Sequence, residues 1–291
     1  MPEQMIKSRG ALMLHGTCLM AAATLCAQDA IAAPAAQLAA HRAIYEMRLD
    51  KSATSSGIAE LTGRMVFEFR GSACEGYTQS MRLVTQVTDR SGGNSLSDMR
   101  TSSWEEGSGR MFRFNATTLR NSKVSEVASG NAVVNPDDTL QIELTRPKKD
   151  ELAVKEPVMF PVQHSLALLS AAKSGRRILQ ANIYDGSERG QKYFVTTSIV
   201  GKRIAPGDKV AKESPEPTRA LNTLSSWPVS ISYYDAGDKK DDGLPTYQMA
   251  FRFFENGVTR DLRIDYGDFS MNGKLADLEF FEEPGCEQPE N

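Results

Sequence analysis

Histidine is nearly missing from this chain: three in 291 residues, His15, His41 and His164. No two of them stand at a metal-ligand spacing and no Cys-x-x-Cys occurs, so a zinc site has no donor set. A Gly-x-Ser-x-Gly elbow is absent too, and with it the usual setting of a hydrolytic serine. Neither a Gly-x-x-x-x-Gly-Lys loop nor a dinucleotide fingerprint is present. No metal and no cofactor is expected. The charges are 34 basic and 37 acidic residues, interspersed, for a net −3. That balance lacks the basic patch by which nucleic-acid-binding proteins are recognised. Long apolar runs are lacking beyond the first thirty or so residues, so nothing later in the chain is expected to span a membrane, which takes roughly 18–20 residues.

What is present at the start reads as a secretory signal. Lys7 and Arg9 precede the uncharged stretch "ALMLHGTCLMAAATLCA", and Ala30-Ile31-Ala32 offers small residues where a signal peptidase reads. Residues 1–32 are therefore expected to be removed, leaving a single domain over 33–291 in the periplasm. The apolar run is marginal for a permanent anchor, and neither Cys18 nor Cys26 follows the Leu-small-small pattern of a lipidated cysteine. Cleavage removes two of the four cysteines. The survivors, Cys74 in "FEFRGSACEGY" and Cys286 near the end, are a lone pair in an oxidising compartment, and such pairs are usually joined. A Cys74–Cys286 disulfide would tie the last segment to an early strand.

The rest of the chain alternates with a period of two. In "HRAIYEMRL", Ile44, Glu46 and Arg48 fall on one face and Tyr45, Met47 and Leu49 on the other. "SGIAELTGRMVFEFRG", "GYTQSMRLVTQVTDR" and "LSDMRTSSWEEGSGRMFRFNATT" repeat the style between Gly, Ser and Asn clusters. The spacing predicts a mainly β fold, one antiparallel sheet that curls or closes. Hairpin turns are expected at Asn135–Asp138, Asp185-Gly186, Asn256-Gly257 and Asn272-Gly273. The one convincing break in the strand rhythm is "EPVMFPVQHSLALLSAAKSG". It predicts a helix over 162–173, with Leu166, Leu169 and Ala172 as its buried stripe and His164 exposed or capping. "APGDKVAKESPEPTRALNTLSSW" reads as a long surface loop.

Catalytic handles are thin. Ser170 and Lys173 match a Ser-x-x-Lys pattern without its companion motifs. Asp238, Asp241 and Asp242 lack calcium-loop spacing, and the pair Glu105-Glu106 carries no weight alone. The aromatics of the last third stand out more. Most belong in a core, but if the sheet encloses an apolar hollow, Tyr233, Tyr234, Phe251 and Phe253 are the candidates to line it.

Four stretches carry a resemblance: "HRAIYEMRL", "FPVQHSLALLSAAKSG" with "IYDGS", "WPVSISYYD", and "ENGVTRDLRIDYGDFSMNGKLADLEFF". They resemble a periplasmic alphaproteobacterial family once filed as a domain of unknown function and later named cell-envelope integrity protein B. The match is weakest between Lys209 and Thr223. The resemblance implies a single β-spiral, similar to half-barrel carriers, with an early and a terminal cysteine joined. It implies a non-enzymatic role in envelope integrity and stress resistance, exercised through protein partners, a tetratricopeptide-repeat protein among them. A carrier of lipid or lipoprotein is the second reading and an uncharacterised hydrolase the third. A monomer is expected.

Overall fold

The structure is a computed structural model that describes residues 37–207, 216–236 and 243–282. Eight strands come first: β1 (His41–Ser52), β2 (Ile58–Ser72), β3 (Gly76–Asp89), β4 (Asn94–Glu105), β5 (Met111–Arg120), β6 (Lys123–Val134), β7 (Leu140–Arg146) and β8 (Asp150–Val154). The helix α1 (Pro161–Lys173) follows. Six more strands follow among the described residues: β9 (Ile178–Ile183), β10 (Phe194–Val200), β11 (Ser226–Asp235), β12 (Tyr247–Phe254), β13 (Thr259–Asp265) and β14 (Phe269–Phe280).

All fourteen strands belong to one sheet, in the order β8-β7-β6-β5-β4-β3-β2-β1-β14-β13-β12-β11-β10-β9. Every neighbouring pair is antiparallel, and the sheet is not closed. Its first strand sits beside its last, Ala43 facing Leu278, so the two halves of the chain join in mid-sheet. The free edges, β8 and β9, are the strands on either side of α1.

The alternation seen in the sequence is the alternation of burial. Ala43, Tyr45 and Met47 are buried on β1, while Ile44 and Glu46 between them are only half-buried. Three apolar clusters result. One gathers α1, through Val162, Leu168, Leu169 and Ala172, onto β9 to β12. A second lies under β1, β2, β13 and β14. The third joins Phe112 and Phe114 of β5, and Leu140, Ile142 and Leu144 of β7, to Phe160 and Tyr184. Tyr184 follows β9, at one end of the sheet, yet its ring meets Phe114 of β5 edge-on at 5.8 Å. The sheet therefore curls until its two ends share a core.

Two expectations need correction. Asn272-Gly273 is not a turn but the middle of β14; the chain turns at Tyr266–Asp268, where Gly267 has φ +85°. Gly273 serves close approach instead, for a Cβ there would lie 2.9 Å from the Met47 sulfur. The long loop is not wholly a surface feature. Residues 216–223 form a 3-10 turn, and Thr218 and Leu221 are fully buried. Leu221 reaches the second cluster.

Candidate functional site

The aromatic face comes first, because it would line any hollow. Tyr233 pairs with Tyr247, Val229 with Phe251 and Trp227 with Phe253 across β11 and β12, so Tyr233, Phe251 and Phe253 point to one face. Tyr234, one residue on, points to the other. The structure thus separates Tyr234 from the rest of the expected set. Tyr233 and Phe253 are buried in the cluster beneath α1, with Phe251 packed against it. Tyr233 stacks on Tyr247 at 4.3 Å, and Phe194 meets both rings edge-on. These faces already have partners. Burial holds the phenols of Tyr233 and Tyr247 well above the usual tyrosine range, with the nearby Asp185 carboxylate adding to the rise. The larger of two clefts described lies elsewhere, a shallow groove of about 320 Å³ on β1 to β4 lined by Glu46, Arg48, Thr62 and Arg64 among others.

The helix supplies the most unusual chemistry. Its N-cap position is Phe160, in extended conformation and with no side-chain cap, followed by Pro161. The first free N–H groups therefore need an acceptor from elsewhere. Glu105, at the end of β4, provides it: its two carboxylate oxygens accept from the N–H of Val162 at 2.7 Å and of Gln163 at 2.9 Å. Gln163 in turn donates to the Gly107 carbonyl at 3.2 Å. Glu105 is almost wholly buried. Burial pushes its carboxyl up to about 7 against the pull of the N–H donors, which favour the anion. Sequence reading passed over Glu105 because an acidic pair is unremarkable in a strand. The missing cap at Phe160 was the available signal.

His164, expected to be exposed or capping, is buried in the first turn of α1, and its Nε2 has no hydrogen-bond partner. Burial alone lowers its pKa to about 4. Ser170 is exposed. Six residues on a helix turn through roughly 240°, so the two point apart. His41 is buried as well, with Nδ1 2.7 Å from the Ala39 carbonyl and its ring near Phe67 and Phe69. The structure does not bring these residues together.

The third feature is a seam. The Phe281 N–H donates to the Ala40 carbonyl at 2.9 Å, and the Arg70 guanidinium lies 3.5 Å over the Phe281 ring. Phe281 and Glu282 border a small cleft with Arg70, Gly71, Ser72 and Glu75, the turn that carries Cys74. Cys286 lies outside the described residues, as do Asp238, Asp241 and Asp242.

A curled, open antiparallel sheet, packed by one helix and joined in mid-sheet by its first and last strands, defines a barrel-like β protein. The chain belongs to the EipB-like family, whose profile matches residues 32–282. It is similar to the cell envelope integrity protein EipB of Brucella abortus (strain 2308), with 38% identity over 256 residues, covering 87% of this chain and 88% of that protein. It is also similar to the crystal structure of a beta-barrel-like protein of a domain of unknown function from Brucella abortus. There the TM-score is 0.79 with 37% identity, over 85% of this chain and 100% of the other.

Proposed function

We propose that this chain is a non-enzymatic periplasmic protein that maintains the cell envelope and its resistance to stress by binding protein partners. The similarity to an envelope integrity protein along most of both chains carries the reading. The filled aromatic face supports binding at the surface over carriage of a lipid within. His164 is buried while Ser170 is exposed on another side of α1, which weighs against the hydrolase. The leader with its Ala30-Ile31-Ala32 site supports export and cleavage before Ala33.

The Cys74–Cys286 bond belongs to the same proposal. Cys74 is disulfide-bonded, and Glu282, four residues before Cys286, lies at the cleft beside the turn that holds it. Four residues can reach at most roughly 13 Å from Glu282. Deleting the gene and challenging the cells with detergent and with a cell-wall antibiotic tests the function. Sensitivity restored to normal by the exported chain, but not by one lacking residues 1–32, is the expected result. Unaltered resistance of the deletion strain contradicts it.

A further inference from the structure

The two edges of the sheet are protected unequally. Natural edges are blunted by charge, shortness or cover. β8 is five residues long and carries Asp150 and Glu151. β9, "ILQANI", has no charged residue. The Val200 N–H donates to the Arg177 carbonyl at 2.8 Å, so the odd-numbered residues of β9 turn their main chain to β10. Those of Ile178, Gln180 and Asn182 then face the free edge. The far end of that edge is already in use. The Met159 N–H donates to the Asn182 carbonyl at 2.8 Å and the Tyr184 N–H to the Met159 carbonyl at 3.0 Å, a short parallel pairing with the chain ahead of α1. The near end, at Ile178 and Gln180, carries no such pairing among the described residues.

The side chains beside this open end are apolar and cationic. Ile178 and Ile199 stand opposite each other on the outer face, 59% and 55% exposed, and Val195 is on the same face of β10, next to Tyr234 of β11. The chain segments that flank β9 and β10 carry Lys173, Arg176, Arg177, Lys202 and Arg203. No carboxylate occurs in residues 173–184 or 194–206. Two of these arginines bond neutral oxygens, Arg177 to the Val200 carbonyl and Arg203 to the Ser225 hydroxyl. In a chain of net charge −3, these two segments carry five cations and no carboxylate. Arg203 lies toward Glu255, whose carboxylate accepts from the Ser225 N–H at 3.2 Å, and Lys173, Arg176 and Arg177 flank the open end of β9 in the chain.

We propose that the open end of β9 is a docking site for an extended, acidic segment of a partner protein, which adds to the sheet as a further strand. Main-chain hydrogen bonds to Ile178 and Gln180 would hold it, Ile178 and Ile199 would seat its apolar side chains, and the arginines would select its acidic ones. This rests on the reading above that the protein binds protein partners. A second copy of this chain is the poorer occupant, because the acids of β8 are flanked by Lys148, Lys149 and Lys155. A flat anionic membrane has no strand to offer the unpaired main chain.

The test uses the full processed chain and two labelled synthetic peptides, one alternating Glu with Val and the other alternating Lys with Val, read by fluorescence anisotropy. The acidic peptide is expected to bind and the basic one to bind at least about tenfold more weakly. Gln180→Pro removes an N–H that faces the free edge and leaves the β10 ladder intact. It should weaken the acidic peptide by about tenfold or more, as should Ile178→Asp, with thermal melts unchanged. If Gln180→Pro does not fold, Ile178→Asp and Arg176→Glu carry the same test. Equal binding of the two peptides, or none up to roughly 1 mM, overturns the proposal. So does full binding by a folded Gln180→Pro chain. Sedimentation with phosphatidylglycerol vesicles that Gln180→Pro does not alter would assign the patch to a membrane. A concentration-dependent dimer abolished by Gln180→Pro would assign it to a second copy, and either result overturns the proposal. Failure here leaves the envelope phenotype standing, whereas loss of that phenotype would remove the function itself.

Discussion

Two buried ionisable residues belong to the start of α1, Glu105 capping its first N–H groups and His164 sitting in its first turn, and they answer to pH in opposite directions. Glu105 is raised to about 7 by burial, above the ordinary carboxylate range. The folded state then holds its proton where the unfolded chain has lost it. Its contribution to stability is full below about 4.5 and is lost as the pH rises through 7. The difference is about 3 kcal/mol for such a gap. Glu105→Gln cannot ionise, so urea melts at pH 5 and pH 8 should show the native chain losing stability relative to this variant as the pH rises. A constant difference would mean the carboxyl titrates normally. His164 is lowered to about 4, so its contribution is present above about 6.5 and lost as the pH falls. His164→Leu removes an unpartnered buried nitrogen. It should stabilise the protein, by about 2 kcal/mol more at pH 5 than at pH 8. The same variant, with Ser170→Ala, should leave envelope function unchanged at normal abundance. Lost function would revive the catalytic reading.

The elements themselves were mostly legible, because strands and the helix announce themselves by period. Tyr45 and Met47 fell on the buried side of β1 as the alternation requires, and the helix began one residue ahead of its expected start, at Pro161. Failures came where one residue acts through a distant partner. Asn272-Gly273 has the letters of a hairpin, yet Gly273 is small because Met47 crowds it. Leu221 and Leu224 stand three apart in a short, mostly polar stretch, too brief for a period to mark them. Tyr184 and Phe160 flank strand and helix, and what buries them is the return of β5, 48 residues from Phe112 to Phe160 and 70 from Phe114 to Tyr184, and invisible to local pattern. Glycine tests that return. Gly186 has φ +74°, and a Cβ there would lie 2.4 Å from the Phe114 ring, whereas Gly175, at φ +76°, has open space around it. Both alanine variants incur roughly 1–2 kcal/mol of backbone strain. Gly186→Ala should add about 1–3 kcal/mol of overpacking, seen as an earlier urea midpoint. Equal losses at the two sites would show that the two ends of the sheet do not depend on this contact.

The described β domain is a spiral whose first and last strands pair in mid-sheet while its two edge strands stand on either side of one helix in the chain. Nothing in that arrangement was written in any one motif; it follows from the pairing of β1 with β14, across more than two hundred residues. A Cys74–Cys286 bond would lock this pairing. Losing it should lower stability by roughly 2–5 kcal/mol. The double variant Cys74→Ala, Cys286→Ala should be no worse than either single one, since one bond is lost in each case. Melts with and without reductant check this, and an unchanged midpoint would assign the bond a minor role. The candidate hollow was the least legible part. Periodicity shows which aromatics share a face, but whether that face is empty depends on how α1 lies across it.

The central claim is that the interior is filled and the protein works by its surface, outside the cytoplasm. Native mass spectrometry of the protein taken from its own periplasm tests this most directly. The account predicts the mass of a chain beginning at Ala33, less two hydrogens for the disulfide, with no lipid adduct. A stoichiometric acyl-bearing species, or a chain that still begins at Met1, would contradict it.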